Sequence, residues 1–132
     1  ADVYCGSGSI GIEALSRGFK HCHFNDIDNA QIKKISIFLK NFTNLNYNLS
    51  DIDIDNELNQ IPWSNFDVIY FDPPYEIKLE PIILKKIEKI KNQAIVITET
   101  SHKIFETAQS TYSKSYKNKF INFFFAKNLK KL

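Results

Sequence analysis

Two clusters of residues in this chain have the types and spacing to do chemistry. The first is Asp72-Pro73-Pro74-Tyr75, which ends the apolar run from Phe66 to Phe71. A carboxylate, two rigid prolines without N–H groups and an aromatic ring offer only acceptors and a stacking surface, which suits the amino group of a base. The second is Gly6-Ser7-Gly8-Ser9-Ile10-Gly11, a GxGxxG turn between a short apolar segment and a helical pattern. Such a turn brings backbone close to a ligand and aims helix N-terminal amides at it. Asp26 follows Gly6 by twenty residues, where a carboxylate can accept hydrogen bonds from both ribose hydroxyls of a nucleoside cofactor. Glycine turn and carboxylate alone would also suit a dinucleotide. The Asp-Pro-Pro-Tyr segment argues instead for methyl transfer onto a base amine, with S-adenosylmethionine as donor.

The elements that must position these clusters read as alternating strands and helices, the pattern of βα units and a parallel sheet. A first strand is predicted over Asp2–Tyr4 and a helix over Ser9–Arg17, closed by Gly18 as C-cap. A second strand covers His21–Asn25, and a second helix runs from Asn29 to about Asn41 with Ile32, Ile35, Phe38, Leu39 and Phe42 on one apolar stripe. Tyr47–Leu49 is a third strand, and Asp53–Gln60 a weak helix. The fourth strand, Phe66–Phe71, is expected to be buried on both faces. An amphipathic helix over Leu79–Lys91 turns its lysines outward, Ala94–Thr98 is the fifth strand, and a helix spans about His102 to Gln109. Tyr112–Lys117 and Phe120–Lys127, separated only by the residues around Asn118, must close as an antiparallel hairpin. In a doubly wound sheet the fourth strand lies next to the first, so both clusters are expected at one crevice at the carboxyl ends of the strands.

Bulk properties set the frame. With 132 residues and 43% hydrophobic content, residues 1–132 are expected to form one domain. No apolar stretch reaches bilayer length and no signal-peptide pattern is present, so a cytoplasmic protein with no membrane partner is expected. Cys5 and Cys22 lack CxxC spacing and read as reduced thiols. A net charge of +2 permits a nucleic-acid partner without requiring one. The chain contains no methionine and opens at Ala1-Asp2-Val3-Tyr4 inside the first predicted strand, so an N-terminally truncated fragment is expected.

With these residues in place, Asp2–Gly18, DVYCGSGSIGIEALSRG, resembles the cofactor motif of the RsmD family of bacterial small-subunit ribosomal RNA guanine-N2 methyltransferases. Phe71–Tyr75, FDPPY, resembles that family's catalytic motif, although Asp-Pro-Pro-Tyr alone is shared with adenine-N6 and cytosine-N4 enzymes. The resemblance extends over essentially the whole chain. It implies a class I, Rossmann-like α/β methyltransferase fold, with a mostly parallel seven-stranded sheet in the order 3-2-1-4-5-7-6, helices on both faces and the closing hairpin. It further implies cofactor contacts from Asp2, Gly6, Ser7, Gly8, Asp26, Ile27, Asp51, Ile52 and Asp72, and catalytic roles for Asp72, Pro73, Pro74 and Tyr75. The implied partner is small-subunit rRNA or the assembling small subunit, met by a monomer. A DNA or RNA adenine-N6 methyltransferase is the alternative enzyme, and a non-catalytic cofactor- or RNA-binding module the alternative outside enzymes. His21, Cys22 and His23 lack further ligands for a metal site. Lys114, Lys117, Lys119, Lys127, Lys130 and Lys131 give the hairpin and tail a basic character suited to phosphates or to plain solvation.

Overall fold

In the computed structural model, which describes residues 1–56 and 60–132, the chain divides into two units, Ala1–Glu57 and Leu58–Leu132. In the first, β1 (Cys22–Asn25) is buried at all four positions and pairs in parallel with β2 (Tyr47–Ser50), Cys22 opposite Tyr47 and Asn25 opposite Ser50. A strand covered on both faces is what a parallel sheet between helices requires. The first predicted strand is reduced to an isolated parallel bridge between Asp2 and Phe24, flanked by backbone bonds of 2.9 Å from Asp2 N–H to His23 O and from Asn25 N–H to Asp2 O.

Helix α1 (Ser9–Ser16) ends on a Schellman turn: Gly18 takes a φ of 93°, its N–H reaches Leu15 O, and the Phe19 N–H reaches Ala14 O. The helix lies so close to β1 that a Cβ on Gly11 would stand 2.2 Å from the Phe24 ring. Helix α2 (Asn29–Leu39) starts on Asp28, whose carboxylate accepts the Ala30 N–H at 2.9 Å. Ile32, Ile35 and Leu39 pack with Phe24 and Cys22 in one apolar cluster. Phe38 and Phe42 depart from the predicted stripe. The helix stops at Leu39, which takes Phe42 out of helical register, and the two rings stay half-exposed, packed on each other at 5.1 Å.

The second unit is a four-stranded sheet, β3 (Val68–Phe71), β4 (Ile95–Thr100), β5 (Tyr112–Tyr116) and β6 (Lys119–Phe125), in the order β3-β4-β6-β5. β3 and β4 are parallel, joined through α3 (Leu79–Lys86), whereas β6 runs antiparallel to both β4 and β5. The β5–β6 turn is the pair Lys117-Asn118, with Lys117 at a φ of 52°. Trp63, ahead of β3, is buried and stacks on Phe71 at 6.1 Å.

Several predicted features differ here. The described residues give six strands and one bridge in place of seven strands. β3 alternates, with Ile69 and Phe71 buried but Val68 and Tyr70 partly open, because Tyr70 turns its hydroxyl to a carboxylate. α3 gives way after Lys86 to a tighter turn over Ile87–Lys89, and Lys86 is buried instead of facing outward. No helix forms over 102–109: Phe105 sits at a φ of 50° and donates its N–H to Glu80 Oε1, a conformation and a partner that helical propagation forbids. The chain leaves β6 at Phe125 for a short helix α4 (Ala126–Leu129), so the last strand ends before Lys127. Of the weak helix over Asp53–Gln60, residues 54–56 form a turn and 57–59 lie outside the described residues.

One buried side chain ties the first unit together. Asn25 is 1% exposed and uses its whole amide. Its Nδ2 donates to Val3 O (3.1 Å) and Ile52 O (3.0 Å), while its Oδ1 accepts from Ser50 Oγ (2.6 Å) and Ile52 N–H (3.0 Å). Asn25→Leu leaves two carbonyls and an N–H buried without partners, each worth about 1 kcal/mol or more. The substitution is expected to lower unfolding free energy by about 3 kcal/mol in chemical denaturation; a loss below about 1 kcal/mol would show that the amide does not hold these segments.

Candidate active site

The glycine turn is bound to the end of β1 by its own backbone. Gly6, at a φ of 50°, donates its N–H to Asp26 Oδ2 at 2.8 Å, and Asp26 Oδ1 accepts the Asp28 N–H at 2.9 Å. Both carboxylate oxygens are thus fixed in place, and each keeps a further lone pair for an incoming hydroxyl. A Cβ built on Gly6 would meet nothing within 4 Å, so the turn leaves an open cradle where a side chain would otherwise stand. At Gly8, a Cβ would press on Ile35 Cδ1 at 2.8 Å, so the missing side chain lets the turn pack against α2. Asp2 is buried, and its Oδ2 accepts the Gly11 N–H at 3.0 Å, which clamps the first turn of α1.

The other residues expected near a cofactor gather in the same unit. Ser7 is exposed on the turn, and Ile27, beside Asp26, shows an apolar side chain that is 67% exposed. Asp51 accepts from Asn29 Nδ2 at 2.7 Å, and the Ile52 backbone is held by Asn25. His21 and His23 use their Nε2 atoms on Asn48 Oδ1 and Ser50 Oγ of β2, at 2.7 and 2.8 Å. Burial lowers the His23 pKa to about 4, which keeps the ring neutral at physiological pH. Cys5 and Cys22 are buried thiols whose pKa values burial pushes up, so neither is a ready nucleophile.

In the second unit, Asp72-Pro73-Pro74-Tyr75 leaves the carboxyl end of β3. Asp72 is half-buried, Pro73 buried, and Pro74 and Tyr75 exposed. Parallel pairing of Phe71 with Thr98 brings the residues that follow them, Asp72 and Glu99, side by side. Glu99 Oε1 forms an ion pair with Lys119 Nζ at the start of β6, and its Oε2 accepts from the Tyr70 hydroxyl at 2.7 Å. Burial raises the Asp72 pKa, Glu99 raises it further, and Lys119 partly offsets both. For Glu99, burial acts upward as well, but the hydrogen bonds from Lys119 and Tyr70, with the lysine charge, outweigh it and hold the carboxyl below its usual range. Lys119 is raised in turn, first by its bond to Glu99 and then by the charges of Asp72, Glu99 and Tyr75, against the opposing effect of burial. One lysine therefore faces two carboxylates.

The sequence groups Lys119 with the hairpin lysines suited to phosphates or to plain solvation, and offers no role for Tyr70 or Glu99. Their assembly depends on strand register, which no local motif encodes. Tyr70 reads in the sequence only as a strand residue, and Glu99 falls just past the predicted fifth strand, which the structure extends to Thr100.

A turn of this kind after a parallel strand, an acidic residue at the end of the next strand and a closing antiparallel hairpin define a class I, Rossmann-like α/β methyltransferase fold. The comparisons with known proteins agree. The crystal structure of the methylase candidate HI0767 from Haemophilus influenzae matches with a TM-score of 0.78 at 26% identity, over 92% of this chain and 82% of that one. Residues 1–125 match the family model described as conserved hypothetical protein 95. YlbH of Bacillus subtilis, named provisionally as an rRNA methyltransferase, is 30% identical over 109 residues, covering 78% of this chain and 59% of YlbH. Ribosomal RNA small subunit methyltransferase D of Haemophilus influenzae is 35% identical over 107 residues, covering 75% and 54%. The chain thus spans a little over half the length of these two relatives, and it belongs to the conserved hypothetical protein 95 family, the RsmD family of the sequence resemblance.

The electrostatics of the second unit can be checked without any substrate. Lys119→Ala removes the one positive charge that offsets Asp72's burial, so the Asp72 titration is expected to move to higher pH. Glu99→Gln removes the neighbouring like charge and is expected to move it to lower pH. Carboxyl carbon NMR reads both midpoints, and shifts of the opposite sign would dissolve the cluster.

Proposed function

We propose that this chain transfers a methyl group from S-adenosylmethionine to the exocyclic N2 amine of a guanine in small-subunit ribosomal RNA. The observation that carries this reading is the half-buried Asp72 at the head of Asp-Pro-Pro-Tyr, in a member of a family whose relatives include a ribosomal RNA small subunit methyltransferase. The first unit is assigned the donor. Asp26 accepts the ribose hydroxyls, Gly6, Ser7 and Gly8 line the cradle, Ile27 and Ile52 flank the adenine, and Asp51 accepts from its amine. Asp2 supports the turn from its buried side. When bound, S-adenosylmethionine supplies an electrophilic methyl group on a sulfonium sulfur.

The second unit is assigned the acceptor. Asp72 and the carbonyl of Pro73 accept hydrogen bonds from the two amine N–H groups, which orients the nitrogen and draws its lone pair out of conjugation with the ring. The prolines contribute no N–H that could compete for those acceptors. Tyr75 stacks on the guanine, a contact worth roughly 1–3 kcal/mol. Asp72 must be ionised to accept. Because its pKa is raised, the reaction is expected to fail on acidification at a higher pH than an ordinary carboxylate would dictate.

Two substitutions separate the assignments. Asp72→Ala is expected to reduce methyl transfer about a hundredfold or more while leaving S-adenosylmethionine affinity nearly intact. Asp26→Ala is expected to weaken S-adenosylmethionine binding by about 1.5–3 kcal/mol. Calorimetry with the cofactor and a tritiated-methyl assay measure the two effects; wild-type turnover in Asp72→Ala would remove Asp72 from the chemistry.

A further inference from the structure

β5 has a composition that neither the fold nor the proposed reaction uses. Along Tyr112-Ser113-Lys114-Ser115-Tyr116 the side chains alternate, so Tyr112, Lys114 and Tyr116 share one face and the two serines the other. All five residues are exposed, and β5 is the edge strand of its sheet. The tyrosines are 52% and 60% exposed, large ring surfaces to leave in water. Tyr112 packs edge-on with Phe123, ring centres 5.3 Å apart at 88°, and Lys117 Nζ stands 5.4 Å from the Tyr116 ring centre.

The face is continuous with the catalytic end of the unit. Cross-strand partners share a face, and the register pairs Tyr112 with Phe123, Lys114 with Ile121, and Tyr116 with Lys119. Lys119 holds Glu99 and feels the charges of Asp72 and Tyr75. A stripe of ring, cation, ring thus begins beside Asp-Pro-Pro-Tyr and runs about 14 Å along the edge strand. Its charge is uniform. From Thr107 to Leu132 the sequence holds six lysines and no acidic side chain.

We propose that the Tyr112–Lys114–Tyr116 face of β5, with Lys117, is a docking track for single-stranded RNA that flanks the target base. Exposed phenol rings take unstacked bases on their faces, and interleaved lysines take the phosphates between them. A duplex hides its base faces and gains only the charge contacts. This inference rests on the reading of the substrate as RNA.

The test is fluorescence anisotropy with a labelled oligoribonucleotide of mixed sequence, single-stranded or annealed to its complement, as a function of salt. The parent chain is expected to prefer the single strand. Tyr112→Ala/Tyr116→Ala is expected to weaken single-strand binding about tenfold or more, while Tyr112→Phe/Tyr116→Phe stays within about twofold of the parent. Lys114→Gln is expected to lower the slope of log affinity against log salt by about one. Thermal melting of each variant confirms an intact fold. Parent-like affinity in the double alanine variant, or a duplex preference in the parent, overturns the track and leaves the RNA substrate standing. No binding of either RNA by the parent overturns the track and the RNA substrate together.

Discussion

The first unit depends on the full saturation of one buried amide. Asn25 ends β1, and its four hydrogen bonds reach Val3 before the glycine turn, Ser50 at the end of β2, and Ile52 just beyond. The residues assigned to the cofactor lie within a few positions of these anchors: Gly6 and Ser7 after Val3, Asp26 and Ile27 after Asn25, Asp51 and Ile52 after Ser50. Loops cannot fix their own tips to a fraction of an ångström, so precision must come from the strand ends that feed them. An amide suits this position because it offers two donors to two carbonyls and an acceptor to a hydroxyl and an N–H. A carboxylate would oppose both carbonyls, and an apolar residue would take the partner from the two carbonyls and the Ile52 N–H.

The second unit solves a different problem, which is to keep a carboxylate available in a half-buried place. Burial and Glu99 both disfavour the ionised form of Asp72, and Lys119 offsets part of that cost while committed to Glu99. The same desolvation strengthens any hydrogen bond that ionised Asp72 accepts, because the local dielectric is low. Tyr70 completes the arrangement by satisfying the second oxygen of Glu99. Each oxygen of Glu99 thereby has a partner, Lys119 on one side and Tyr70 on the other.

How much of this was legible in the sequence follows from the range of each signal. The glycine turn, the Gly18 cap, the start of α2 at Asn29 and the rigid Asp-Pro-Pro-Tyr exit from β3 are local, and the structure forms each where the sequence puts it. The spacing of twenty residues between Gly6 and Asp26 is legible, but the 2.8 Å bond from the Gly6 N–H to the Asp26 carboxylate comes from the structure alone. Asn25, Glu99, Tyr70 and Lys119 were illegible because their roles arise from pairing between segments twenty or more residues apart. The failed helix over 102–109 shows the converse. Its local pattern was acceptable, but a tertiary bond from the Phe105 N–H to Glu80, with Phe105 at positive φ, overrode it. Lys86 was read outward from its charge and lies buried in the core of its unit.

The central claim is a reaction at one kind of nitrogen, and nucleoside mass spectrometry tests it most directly. Unmodified small-subunit rRNA is incubated with the protein and S-adenosylmethionine carrying a deuterated methyl group, then digested to nucleosides. The expected result is label in N2-methylguanosine alone. Label in N6-methyladenosine, in a methylated pyrimidine, or in no nucleoside would contradict the account.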